Sequence, residues 1–222
     1  MAKDRYLKKE NSVVIGIFII WCIAIYIAFL SYPTGVFEKA LAIFKEQNVK
    51  NSAAAMFLPI LVVVLAGFIS PENKARLVFW RYKYALPGHR AFSKLAPNDP
   101  RIDMQALTEK MGDSLPHSPK QQNSKWYSLY KNYAGSITVV QSQKHFLLAR
   151  DLSSISFLFA AFGPLGLLFT QSFNGALIYG FVMVIHYIIL AIVAQNHGKR
   201  FVCNVLAEFS NDQKAGKSTL KT

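Results

Sequence analysis

Apolar residues along this chain gather into four stretches, at 13–30, 53–69, 152–171 and 176–194, with polar segments between them. The first three hold no charged residue and no histidine, and the fourth holds one histidine, His186. A bilayer core about 30 Å thick is crossed by about 20 apolar helical residues. Charged side chains at that depth are strongly disfavoured. The pattern therefore predicts an all-α integral membrane protein with four transmembrane helices in two hairpins, 13–69 and 152–194. Ser172-Phe173-Asn174-Gly175 is all that separates the third span from the fourth, and it reads as a tight turn.

The polar segments carry their own helical pattern. Phe37, Ala40, Leu41 and Phe44 recur at helical spacing, which predicts an amphipathic external helix over 36–47. It either lies in the head-group region or packs on the spans. At the end of the second span, Ser70 is a good N-cap, Pro71 suits the first helical position and Glu72 suits the helix N-terminus. The helix opened there is expected to interleave Leu77, Phe79, Trp80, Tyr82 and Tyr84 with Lys74, Arg76, Arg81 and Lys83, as a membrane interface favours. A turn and loop follow from Pro87 to Phe92. Asp99-Pro100 reads as the cap of a short helix with Met104, Leu107 and Met111 on one face, ending at Gly112. Ser118-Pro119-Lys120-Gln121 is a capping box, and the helix it opens puts Trp126, Leu129, Tyr130 and Tyr133 on one stripe. Residues 70–151 thus form a basic helical cytoplasmic insert between spans two and three, marginal in size for a domain standing alone. Residues 195–222 are the cytoplasmic tail. Phe201, Val205 and Phe209 continue the fourth helix as an apolar stripe that would pack on the insert or dock a partner. The lysine-rich end of the tail reads as disordered.

Charge sets the orientation. The net charge is +13, yet charged residues are only 17% of the chain, below the quarter usual for soluble domains. Lys3, Arg5, Lys8 and Lys9 precede the first span, thirteen Lys or Arg lie between Lys74 and Arg150, and five more follow the last span. Only Lys39, Lys45 and Lys50 fall on the other side. The positive-inside rule then places residues 1–12, the insert and the tail in the cytoplasm. A basic chain can also bind nucleic acid. Flanking charges that meet anionic lipid account for these more simply. Cys22 and Cys203 fall at opposite ends of the chain with no ligand at short spacing, which predicts free thiols.

Chemistry is sparse. His89, His117 and His145 stand 28 residues apart and match no metal-ligand spacing. The chain has no nucleotide-binding loop, dinucleotide fingerprint or nucleophile elbow. No enzymatic activity, metal or cofactor is expected. His186 is either a pathway or gating residue or a neutral histidine hydrogen-bonded inside the bundle. Gly163-Pro164 is expected to kink the third span, as a hinge or as a close-packing point. Arg76, Trp80, Arg81, Lys83, Arg90, Trp126 and Tyr130 are the expected contacts for lipid or a partner.

The chain resembles the small transmembrane effectors of bacterial anti-phage systems encoded beside retron reverse transcriptases. The likeness lies in its size, its few spans with a basic insert, and segments such as Leu86-Pro87-Gly88-His89-Arg90-Ala91-Phe92-Ser93, Asp99-Pro100-Arg101-Ile102-Asp103, Trp126-Tyr127-Ser128-Leu129-Tyr130 and Arg200-Phe201-Val202-Cys203-Asn204-Val205-Leu206-Ala207. The resemblance implies a toxin-like effector held inactive by a reverse transcriptase with its RNA and DNA product, which damages the membrane after infection is sensed. An alternative is a non-catalytic scaffold or accessory subunit of a larger membrane complex. Either role admits a homo-oligomer.

Overall fold

The computed structural model describes residues 2–30, 49–112, 114–168 and 173–212, with side chains from Asn11 in the first helix and from Phe57 in the second. The helix expected over 36–47 and the tail beyond 212 lie outside these residues. All secondary structure among them is helical. The main helices are α1 (Ala2–Leu30), α2 (Val49–Phe68), α3 (Pro71–Phe79), α4 (Met104–Lys110), α5 (Pro119–Tyr133), α6 (Ile137–Leu168) and α7 (Phe173–Asn211). Three short turns, Pro87–Arg90, Ala91–Leu95 and Ala96–Asn98, link α3 to α4.

Three helices are long and apolar enough to cross a membrane: α1 from Asn11, α6 and α7. A fourth span is counted if α2 is taken with α3, which leaves it at a bend of 105°. The outer face of this bundle is apolar. Ile17, Ile20, Trp21, Phe57, Phe68, Phe181 and Ile189 are all exposed there. An exposed surface that apolar is consistent with a membrane protein.

Contacts along α6 give the topology. Asn11 Nδ2 donates to the Lys144 carbonyl at 3.1 Å, and Tyr26 lies against Gly166, so α1 and α6 run parallel. Leu58 also lies near Gly166, while Ile69 shares a groove with Leu158, so α2 runs the other way. α7 is antiparallel as well: Tyr179 meets Gly163, His186 meets Ser156, and Phe201 stacks on Phe146. The start of α1, the segment after α2 and the end of α7 therefore share one end of the bundle.

Two expectations change here. α1 and α2 do not pack as a hairpin, because each makes its main contacts with α6. Gly166 on α6 lets both approach closely, since Tyr26 of α1 and Leu58 of α2 lie where a side chain would stand. Of the turn expected at 172–175, residues 173–175 already belong to α7, and 172 lies outside the described residues.

Beyond the spans lies a second core. Ala75, Val78, Phe79, Phe92, Leu107, Trp126, Leu129 and Phe146 are buried together with Phe201, Val202, Val205 and Leu206 of α7. The insert does not fold over itself alone, because the tail helix completes its core.

The caps show why the helices begin where they do. Ser70 accepts from the Asn73 amide and Pro71 takes the first position of α3, as expected. α3 ends early, however, with Trp80 as a left-handed C-cap at φ 52°, so Tyr82 and Tyr84 lie outside any helix. Its last carbonyls are met from α7: Tyr187 donates to Leu77 O at 2.7 Å and Gln195 to Val78 O at 2.8 Å. α4 is capped by Asp103, whose carboxylate accepts from the Gln105 and Ala106 amides. Asp99, expected to be the cap, instead makes a paired contact with Arg101 at 2.7 and 2.9 Å. Gly112 adopts φ 77° after α4, a backbone that suits glycine. Both halves of the Ser118–Gln121 capping box form. Buried Gln122 accepts from the Phe92 and Ser93 amides, fixing the preceding turns against α5.

Candidate functional site

A seam of polar side chains lies inside the bundle between α1, α6 and α7. Its first member is His186. Its Nδ1 lies 2.9 Å from Ser156 Oγ, and Phe18 of α1 stacks on its ring with centroids 5.5 Å apart. The ring is half-buried, and among the described residues no charged group is hydrogen-bonded to it.

The seam continues at Gly163-Pro164. α6 stays helical through Pro164 and does not break there. Gly163 has a different task. A Cβ at this position would lie 2.6 Å from the Tyr179 hydroxyl and closer still to its ring. Gly166 likewise makes room for the Tyr26 hydroxyl. The two glycines thus accommodate two fully buried tyrosines, which meet edge to face at 5.7 Å. The hydroxyls of Tyr26, Tyr179 and Ser153 are buried without a hydrogen-bond partner among the described residues. Unmet polar groups in a dry interior destabilise this packing relative to any arrangement that supplies them a partner.

Sequence reasoning passed over Ser153, Ser156, Tyr26 and Tyr179. The available signal was hydroxyl and glycine positions recurring along one side of α6 at 153, 156, 163 and 166.

Where the bundle meets the second core, charges and aromatics form a collar. Asp151 accepts from Lys74 at 3.1 Å and from Arg150 at 3.2 Å, joining α3 to α6. Trp80 Nε1 donates to Tyr187 Oη at 3.0 Å, one residue from His186. The collar therefore touches the seam through α7.

The residues expected to meet lipid or a partner divide into two groups. Arg81 and Lys83 are exposed, Trp80 is about half exposed, and Arg76 and Arg90 are partly buried. Trp126 is not available: it is buried, donates to Val202 O at 3.3 Å and packs on Phe201. Tyr130 is half-buried beside it and donates to Gln143 at 3.0 Å. The aromatic stripe of α5 is satisfied by the chain's own tail helix.

Further along that tail, Arg101 bridges Asp99 to Asn204 Oδ1 at 2.9 Å. The Arg101 hydrogen bonds hold the Asp99 carboxyl down at about 2. Burial, with the Asp99 charge nearby, pushes the Cys203 thiol up to about 12. That thiol is consequently unreactive at neutral pH. Cys22 is also buried and free. Burial lowers the His89 ring below the ordinary histidine range, although the Leu86 carbonyl opposes this.

No protein-family model matches the chain, and no characterised protein or solved structure is significantly similar to it.

Proposed function

We propose that this chain is a membrane effector of the abortive-infection kind. It resides in the bacterial inner membrane with both termini and the insert in the cytoplasm. A cytoplasmic partner holds it inactive, and release perturbs membrane integrity. The partner that the retron resemblance implies is a reverse transcriptase with its RNA and DNA product. One observation carries the reading. α6 and α7, 32 and 39 residues long, run unbroken from the apolar bundle into the second core. At 1.5 Å per residue they span about 48 and 58 Å. A partner gripping the cytoplasmic core therefore holds the same helices that line the seam. The unpartnered hydroxyls of the seam mark where that packing has a better alternative, in a rearranged chain or a homo-oligomer.

A scaffold or accessory-subunit role is favoured by a different observation. Phe159, Leu167 and Met183 are fully buried in the bundle core, an apolar packing that suits a static anchor.

Expression without any partner separates the two. The effector reading expects loss of signal from a potential-sensitive dye soon after induction. An unchanged potential, with the protein recovered in the membrane fraction, would sink it. Harmless expression with a stable co-purifying membrane complex is the scaffold outcome.

A further inference from the structure

The corner where α2 turns into α3 holds two adjoining concavities. One is an apolar groove of about 520 Å³ between α2, α3 and α6, lined by Leu65, Phe68, Ile69, Leu158 and Phe162. The other is a polar cleft of about 880 Å³ on the insert side, beneath Tyr82 and Tyr84. Arg76 lines both and is the charged residue at their junction.

The charges of the cleft are unequal. Arg76, Lys83 and Lys120 face it as cations, with Glu72 as the single carboxylate and His89 beside them. Glu72 is occupied, accepting from Arg76 at 2.8 Å. Arg76 also donates to Asn73 Oδ1 at 3.2 Å and stacks over Tyr82 at 5.1 Å. Its Nε is shielded from solvent and finds no partner among the described residues. A shielded guanidinium N–H beside two further cations calls for an anionic oxygen acceptor. The groove that opens from the same arginine calls for a hydrocarbon chain.

We infer that this corner binds one anionic phospholipid, with an acyl chain in the groove and its phosphate at Arg76, Lys83 and Lys120. The inference rests on the membrane placement proposed above. A bound lipid would fasten α3 to the bilayer and steady the bend between the bundle and the insert.

The test uses the full chain in mild detergent, with native mass spectrometry after addition of phosphatidylglycerol or phosphatidylcholine. One phosphatidylglycerol per chain is expected to be retained, about tenfold over phosphatidylcholine, as two or three close cations predict. Arg76→Gln with Lys83→Gln should abolish that preference. Lys120→Gln, on a separate helix, should reduce it about threefold. Lys94→Gln with Lys131→Gln removes the same charge outside the cleft and should leave it unchanged. Equal retention of both lipids, or equal loss in the two double variants, would overturn the site. So would full displacement by excess inorganic phosphate, which would mean an anion site without a lipid. Carbonate extraction of native membranes keeps the two readings apart. A chain that washes off refutes the membrane placement and the lipid site together, whereas a chain that stays but shows no lipid preference refutes the site alone.

Discussion

Gly163 and Gly166 give up their own side-chain volume to two tyrosines, and that exchange sets the packing of the bundle. Gly163→Ala would drive a methyl into the Tyr179 ring, which lies between α6 and α7 with no free space around it. Overpacking of this kind typically costs about 1–3 kcal/mol. Gly67→Ala is the matched control, because nothing lies within 4 Å of a Cβ there. Thermal unfolding in detergent should show a clear drop for the first and none for the second. Equal melting temperatures would mean that Tyr179 moves aside freely. The Asp99–Arg101 pair gives a second prediction, in pH. The folded carboxyl titrates at about 2 against an ordinary 3.8, so the folded state binds its proton less readily than the unfolded chain. Its stabilisation is therefore fully present above about pH 4 and is lost as pH falls towards 2. Because Arg101 is about half exposed, the contribution at neutral pH is discounted to about 1 kcal/mol. Asp99→Asn should lower neutral-pH stability by that amount and flatten the loss of stability between about pH 4 and 2. An unaltered acid profile would refute the pairing.

Among the described elements, α7 touches the widest range of others, and its far end shows how. Lys110 of α4 donates to the carbonyls of Phe209, Ser210 and Asp212 at 3.2, 2.7 and 2.8 Å. Those carbonyls lie at a helix terminus with no intrahelical donor, and a cation there also suits the helix dipole. Lys110→Met keeps the stem and removes the donor. It should fray the last turn of α7, with faster hydrogen exchange at 207–211 and a loss of about 1 kcal/mol. Unchanged exchange there would show that the carbonyls find water equally well. What the sequence disclosed follows the range of each interaction. Caps built from neighbours, such as Ser70 with Pro71 and Ser118 with Gln121, are visible within four residues. The spans are visible because twenty apolar residues in a row have few other uses. Asp99 and Asp103 were confused because both precede the same short helix, and the arginine that claims Asp99 competes with any capping role. The Trp126 stripe was read as a surface because its cover, Phe201 and Val202, lies about 75 residues away. The polar seam was hidden for the same reason: a serine or tyrosine among apolar residues does not reveal which neighbour it faces.

At the scale of the whole molecule, two cores of different kinds share two rigid helices. The bundle turns an apolar outer face outward, and in a bilayer burial would yield little hydrophobic gain, so close fit would dominate. The second core packs by removing apolar surface from water. Each uses its own stretch of one side of α7: Ala176, Tyr179 and Met183 in the bundle, then Phe201, Val202, Val205 and Leu206 beyond it. The faces are kept in phase only by the unbroken turns between them. One alanine inserted after Gln195 would rotate one face against the other by about 100° and shift it by about 1.5 Å. Both cores cannot then be satisfied. The second core is expected to yield, since its partner elements α3 to α5 are short and the bundle face remains pinned by α1 and α6. Trypsin added to the insert side should then cut within 74–150 faster than in the parent chain, while α1, α6 and α7 stay in the membrane fraction. The same alanine inserted after Asp212, past both faces, should leave the digest unchanged. If the insertion after Gln195 is cut no faster than the parent, α7 does not transmit strain between the cores. The proposed partner control of the spans would then have to run through α6 alone.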